Sequence, residues 1–202
     1  MTYDINYFIE ALERLNYKLV QTKSEEELDV YIIGGFCMML HGLRDATIDI
    51  DSYISEYAGT NLKRLIEEVG EEIGNPEWLN DDITKLDTIP QLSDLLIVVN
   101  SFRLERKIGK INVYAAELKT ILITKILAVM DERDNYYKDI QDILSIISRT
   151  GFSEEVITSL REFEICNFDI LSTLLSILTD YKYIDEADLL KYYELIKHAE
   201  EF

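Results

Sequence analysis

The 202-residue chain reads as an α+β protein, a small mixed β-sheet flanked by helices and followed by a helical C-terminal region. Short apolar runs at Tyr31–Ile33, Leu95–Val99 and Ile111–Tyr114 have the length of buried strands, and all fall in the first 116 residues. From Ala116 to Thr150 there is neither glycine nor proline, and apolar residues recur at helical spacing. Residues 1–116 are therefore expected to form the α/β core, and residues 117–202 a helical region packing on it.

The elements follow in order. An acidic amphipathic helix over Ile5–Leu19 precedes the strand at Tyr31–Ile33. Gly34-Gly35 then lets the backbone turn sharply and approach a ligand with no Cβ in the way. Phe36–Leu40 opens a short helix whose unpaired N–H groups would favour phosphate. His41, before Gly42, reads as the end of that helix rather than as a base. A strand carrying Asp49-Ile50-Asp51 comes next. Asn61–Ile73 forms a third helix, stopped by Gly74-Asn75-Pro76, with Trp78 as a packing anchor and Asp81-Asp82 as a solvated turn.

Arg103, Arg106, Lys107 and Lys110 cluster in FRLERKIGK, which reads as a solvated hairpin with Gly109 at its turn, or alternatively as a grip on a tRNA end or an acidic partner. After Glu117 everything is helical, with a break near Asp134-Asn135. Ser153 opens a helix whose first turn carries Glu154 and Glu155, and Asp185–Ala199 forms another. Tyr181, Tyr183, Tyr192 and Tyr193 read as helix packing.

Chemistry concentrates in Val30–Ile54. Alternation along a strand puts Asp49 and Asp51 on one face, with Ile48, Ile50 and Tyr53 serving other packing surfaces. Two parallel carboxylates on a rigid strand can clamp a hard cation. Magnesium favours oxygen ligands and is usually held by one or two carboxylates plus substrate phosphates. A triphosphate could then lie between the glycine turn and the carboxylate-held metal.

A second candidate cluster lies in the helical region. Leu118, Ile121, Leu122 and Val129 share a helical face with Lys125, and an ammonium in an apolar stripe must reach water or meet an anion. Arg133 lies close to the same stripe. Asp139 and Asp142, three residues apart, are neighbours on the next helix.

Gly34, Gly35, Asp49 and Asp51 together resemble the signature of the nucleotidyltransferase superfamily that shares the DNA polymerase β palm: hydrophobic-Gly-Gly, a helix, then Asp-hydrophobic-Asp. The stretch Arg44-x-x-Thr47-x-Asp49-x-Asp51 is similar to that of bacterial toxin-like members and tRNA nucleotidyltransferases. Lys125-x-x-Ala128, Arg133 and Lys138-Asp139-x-x-Asp142 resemble the helical motif of AbiE-type toxins and related uncharacterised bacterial families. The resemblance implies a nucleotidyltransferase-fold core and an enzyme that uses Mg2+ or Mn2+ and a nucleoside triphosphate as substrate. It assigns Asp49 and Asp51 to the metal, and Gly34, Gly35, Arg44, Thr47 and Lys125 to the nucleotide. Asp139 or Asp142 would be a further catalytic or positioning carboxylate. The acceptor it implies is RNA such as tRNA, a protein side chain or a small molecule.

Two departures stand out. Many palm-type members carry a third acid on a later strand, where the runs at Leu95–Val99 and Ile111–Tyr114 offer Asn100 and Asn112. Either Asp49, Asp51 and the helical Asp139 suffice, or the protein binds nucleotide without turnover, as a binding module for a basic partner protein. Phe36-Cys37 also follows the glycines where toxin-like members more often have a serine.

Composition sets the remaining limits. At 48% hydrophobic the chain can bury a sizeable core. A formal charge of −19 opposes general nucleic-acid binding, which depends on Lys and Arg neutralising phosphates. The acidity shifts the expected acceptor toward a protein or a cationic small molecule such as an aminoglycoside. No apolar run reaches the roughly 18 residues of a membrane span, so no membrane partner and a cytoplasmic location are expected. Cys37 and Cys166 read as reduced core thiols, and His41 and His198 are isolated, with no Cys/His cluster at zinc spacing.

Overall fold

The computed structural model describes residues 1–23, 27–54, 61–80, 102–131, 136–163 and 166–197. The expected strand at Leu95–Val99, together with Asp81-Asp82, Asn100, Arg133, Asp134-Asn135 and His198, lies outside them. The chain is mixed α+β and divides into two compact units, Met1–Glu117 and Leu118–Phe202. Among the described residues, no helix is long and apolar enough to cross a membrane.

Among the described residues, the first unit is built on five strands, β1 (Leu28–Ile33), β2 (Ile50–Ile54), β3 (Leu79–Asn80), β4 (Phe102–Ile108) and β5 (Ile111–Ala116). Their order across the sheet is β3-β2-β1-β5-β4. β1 pairs antiparallel with β2 and parallel with β5, β3 runs parallel to β2, and β4 antiparallel to β5, so the sheet is mixed. Cross-strand partners share a face. One face carries Leu28, Val30 and Ile32 of β1, Ile50 and Ser52 of β2, and Ile111, Val113 and Ala115 of β5, all buried. The other carries Tyr31, Asp51, Tyr53 and Tyr114, which are only half-buried.

Among the described residues, three helices accompany this sheet. α1 (Ile5–Gln21) is capped by Asp4, whose side chain accepts from the Tyr7 N–H, and it buries Phe8, Ala11, Leu12, Leu15 and Leu19. That spacing of three and four is the apolar stripe of an amphipathic helix. α2 (Gly34–Leu40) follows β1 directly and is buried along most of its length. Its end is set by Gly42, whose positive φ of 68° lets the Gly42 and Leu43 N–H groups return to the Met39 and Met38 carbonyls. His41 sits at that C-cap with a ring nitrogen 2.8 Å from the Ala116 carbonyl oxygen. α3 (Leu62–Ile73) is capped by the Asn61 side chain and stopped by left-handed Gly74.

FRLERKIGK forms all of β4 and the turn after it. Lys107 ion-pairs with Glu27, and the Lys110 N–H donates to the Asn16 side chain of α1. The central residues of β4 are exposed, as a solvated hairpin requires.

The second unit contains α4 (Leu118–Met130), α5 (Tyr136–Thr150), α6 (Glu154–Leu160), α7 (Phe168–Asp180) and α8 (Glu186–Lys197). α4 packs on α5 and α7, and α7 on α8. The stripe expected on α4 differs: Thr120, Ile121, Leu122, Ile123 and Ile126 are buried, while Leu118 and Val129 are partly exposed. A helix apolar on nearly every side has no single face for periodicity to find. Of the four C-terminal tyrosines only Tyr192 is buried, against Phe152, and Tyr181, Tyr183 and Tyr193 are exposed. Cys37 is buried and Cys166 partly so, both as free thiols.

Candidate functional site

The site of the first unit begins with local chain chemistry. β1 ends at Ile33, and Gly34 turns into α2 with φ at +65°, a conformation only glycine adopts without strain. The volume a Cβ on Gly34 would need is filled by the Asp51 carboxylate. At Gly35 the same volume holds the Thr47 hydroxyl, and the Arg44 Nη1 would lie 2.8 Å away. The two glycines therefore make room for the protein's own side chains. Asp51, Thr47 and Arg44 stand over the glycine step.

Thr47 is buried and its backbone is bridged to Tyr3, with Tyr3 N–H donating to Thr47 O at 2.7 Å and Thr47 N–H to Tyr3 O at 3.1 Å. The Asn75 side chain donates to the Ile48 carbonyl at 2.8 Å. These long-range bonds shape the approach to β2, which starts at Ile50 and leaves Asp49 just outside the ladder. Ile48 is half exposed, and Tyr53 shares the Asp51 face instead of serving another surface.

Asn80 belongs to the Trp78-Leu79-Asn80 step, to which the sequence alone assigns no chemical role. It pairs with Asp51 across the β2/β3 ladder, and its side-chain amide donates to Asp49 Oδ2 at 3.0 Å. An ionised carboxylate only accepts, so the amide nitrogen must be the atom that faces it. Asn80 arrives there because Trp78, fully buried with its indole N–H on the Ile66 carbonyl, anchors the segment against α3. The Ile50 N–H then donates to Trp78 O, and the Ser52 hydroxyl to Asn80 O. Asn112, the strand residue that stands where a third acid would be expected, bonds Glu27 and Asp29 through its side-chain amide.

The face that carries Asp51 also carries an aromatic cluster. The Tyr31 ring stacks on Tyr114 with centroids 4.8 Å apart, meets Phe102 edge-on at 5.3 Å, and lies 6.1 Å from Tyr53. Burial, with Asp29, Tyr114 and Tyr53 nearby, pushes the Tyr31 phenol up from its ordinary value.

The second unit holds its own cluster. Lys125 on α4 lies 2.7 Å from Asp139 Oδ1 and 2.9 Å from Asp142 Oδ2 on α5, and the three side chains are 12%, 14% and 7% exposed. The anionic partner that a lysine in an apolar helix requires is thus a pair of aspartates. Burial would lower the Lys125 ammonium, but Asp142 and Asp139 outweigh it and hold it above the usual lysine value.

The structure therefore brings Gly34, Gly35, Arg44, Thr47, Asp49 and Asp51 together within the first unit, and Lys125, Asp139 and Asp142 together within the second. Among the described residues, no three His, Cys, Asp or Glu side chains converge as a metal-ligating group. The Asp49–Asp51 pair offers carboxylate oxygens only, a donor set that suits a hard cation completed by water and phosphate oxygens. No protein-family model matches the chain, and no curated protein or solved structure is significantly similar to it.

Proposed function

We propose that this chain is a metal-dependent nucleotidyltransferase of the toxin-like branch, transferring a nucleoside monophosphate from a nucleoside triphosphate to an RNA, protein or small-molecule acceptor, with the acidic charge favouring the latter two. The observation that carries the reading is the packing of Asp51, Thr47 and Arg44 onto the Gly34-Gly35 step, beside Asp49. Two carboxylates, a hydroxyl and a guanidinium from positions 44 to 51 thus gather at one glycine step, which packing alone leaves unmotivated.

Asp49 and Asp51 would hold Mg2+ or Mn2+. When bound, the cation supplies charge neutralisation on the triphosphate as the acceptor oxygen attacks the α-phosphorus in line and pyrophosphate leaves. Asn80 keeps the Asp49 carboxylate oriented. Arg44, standing over Gly35, would offset charge on the phosphates, and the Thr47 hydroxyl would offer them a hydrogen bond. Catalysis on this reading is mostly positioning and electrostatics. By resemblance, Lys125 would be a phosphate ligand and Asp139 or Asp142 a further catalytic or positioning carboxylate. The ion pairs among them mean that Lys125 would have to exchange an aspartate for a phosphate.

The test is transfer of label from each α-labelled nucleoside triphosphate, with Mg2+ or Mn2+, into the protein itself, total tRNA and an aminoglycoside panel. Label that moves with the native chain and is lost in Asp49→Ala and Asp51→Ala is the expected result. Nucleotide binding without label transfer would replace the enzyme with the binding module for a basic protein, a role that a charge of −19 also suits.

A further inference from the structure

We infer that Asn80 is a positioning residue that sets the divalent-cation affinity of the Asp49–Asp51 pair. The inference rests on the nucleotidyltransferase reading in one respect, that these two carboxylates hold a cation. Its own evidence is geometric. The Asn80 amide donates to Asp49 Oδ2 at 3.0 Å, and Asn80 stands beside Asp51 in the parallel β2/β3 ladder.

Asp49 lies just before β2, outside the ladder that sets the position of Asp51. Asn80, by contrast, is clamped within it. The Ser52 hydroxyl donates to its carbonyl at 3.0 Å, and two residues earlier the Trp78 carbonyl accepts from Ile50 at 2.8 Å. Trp78 is in turn fully buried and bonded to α3. A residue held by ladder bonds thus grips the Asp49 carboxylate through this hydrogen bond. Outer partners of this kind fix the orientation of ligating groups, and their loss typically costs about 10–100-fold in metal affinity.

A carboxamide also does this without adding charge. A carboxylate at position 80 would face Asp49 at hydrogen-bonding distance with no proton to share, and the two would repel until a cation came between them. Cation affinity rises with the number of charged ligands. The residue type at position 80 should therefore act as a dial on affinity that leaves Asp49 and Asp51 untouched.

The experiment titrates Mn2+ into the full-length chain by electron paramagnetic resonance, comparing native protein with Asn80→Ala and Asn80→Asp, and records thermal unfolding with and without Mg2+. Asn80→Ala should weaken Mn2+ binding about 10-fold or more. The isosteric Asn80→Asp should bind Mn2+ more tightly than native protein, unfold at a lower temperature without cation, and recover with Mg2+. If both variants fold and bind Mn2+ as the native chain does, Asn80 is only a ladder residue and the inference is wrong. Native protein that binds no Mn2+ would sink the cation reading itself, and this inference with it.

Discussion

Gly34 and Asp51 share one volume: the Asp51 carboxylate occupies the space in which any other residue at position 34 would carry its Cβ. Ile33, immediately before the glycine, is the β-ladder partner of Asp51, so strand register brings the two into contact. A backbone turn and a candidate metal ligand are therefore one structural feature.

Gly34→Ala is expected to damage the fold and the site together. The left-handed backbone alone costs about 1–2 kcal/mol for a residue with a Cβ, and displacement of the Asp51 carboxylate adds to it. Gly74→Ala is the control, because Gly74 has a similar φ of +71° but nothing within 4 Å of where the added methyl would lie. Urea unfolding should show Gly74→Ala losing only the backbone cost and Gly34→Ala losing more. Mn2+ binding should fall for Gly34→Ala alone.

Removal of Lys125 should be among the costliest single changes in the second unit. Lys125→Ala leaves Asp139 and Asp142 facing each other in a largely buried site, and breaking a buried ion pair by deleting one partner typically costs about 3–5 kcal/mol. Asp139→Asn or Asp142→Asn leaves one carboxylate on the lysine and should cost less. Chemical denaturation of the three variants orders them. A Lys125→Ala protein as stable as the native one would remove the structural account of this cluster.

Stability should decline on the alkaline side. Burial pushes the Cys37 thiol up to about 12 from an ordinary 9.0, so the folded chain keeps a proton that the unfolded chain gives up. A raised value means that the contribution is fully present below about pH 9 and is lost as pH rises toward 12. Lys125, also raised, adds a loss of the same sign above its ordinary 10.5. Unfolding free energies measured from about pH 8 to 11 should fall continuously, and the fall should be shallower in Cys37→Ala. At about pH 8 the native Cys37 thiol should resist alkylation until the protein is unfolded.

Much of the architecture could be read from the chain because its signals are local. Asn61 and Gly74 bracket α3 through bonds that reach three or four residues, and Gly109 marks the β4–β5 turn by its own backbone preference. The pairing of a glycine step with a nearby Asp-x-Asp was likewise visible, since both flank one short helix.

Three features arose from contacts between distant parts of the chain. Asp49 fell outside β2 because Tyr3 and Asn75, remote in sequence, bond the residues before it. Asn80 reached Asp49 because burial of Trp78 set where β3 begins, and no periodicity records which strand will lie beside another. Lys125 met Asp139 and Asp142 because α4 and α5 pack together, each ion pair joining one helix to the next. The α+β class, the helix limits and the residue types available for chemistry are legible in the linear chain, since they depend on dihedral preferences and caps within a turn or two. Register, helix pairing and the partners of buried charges depend on which apolar surfaces bury one another, and that balance exists only in the folded chain.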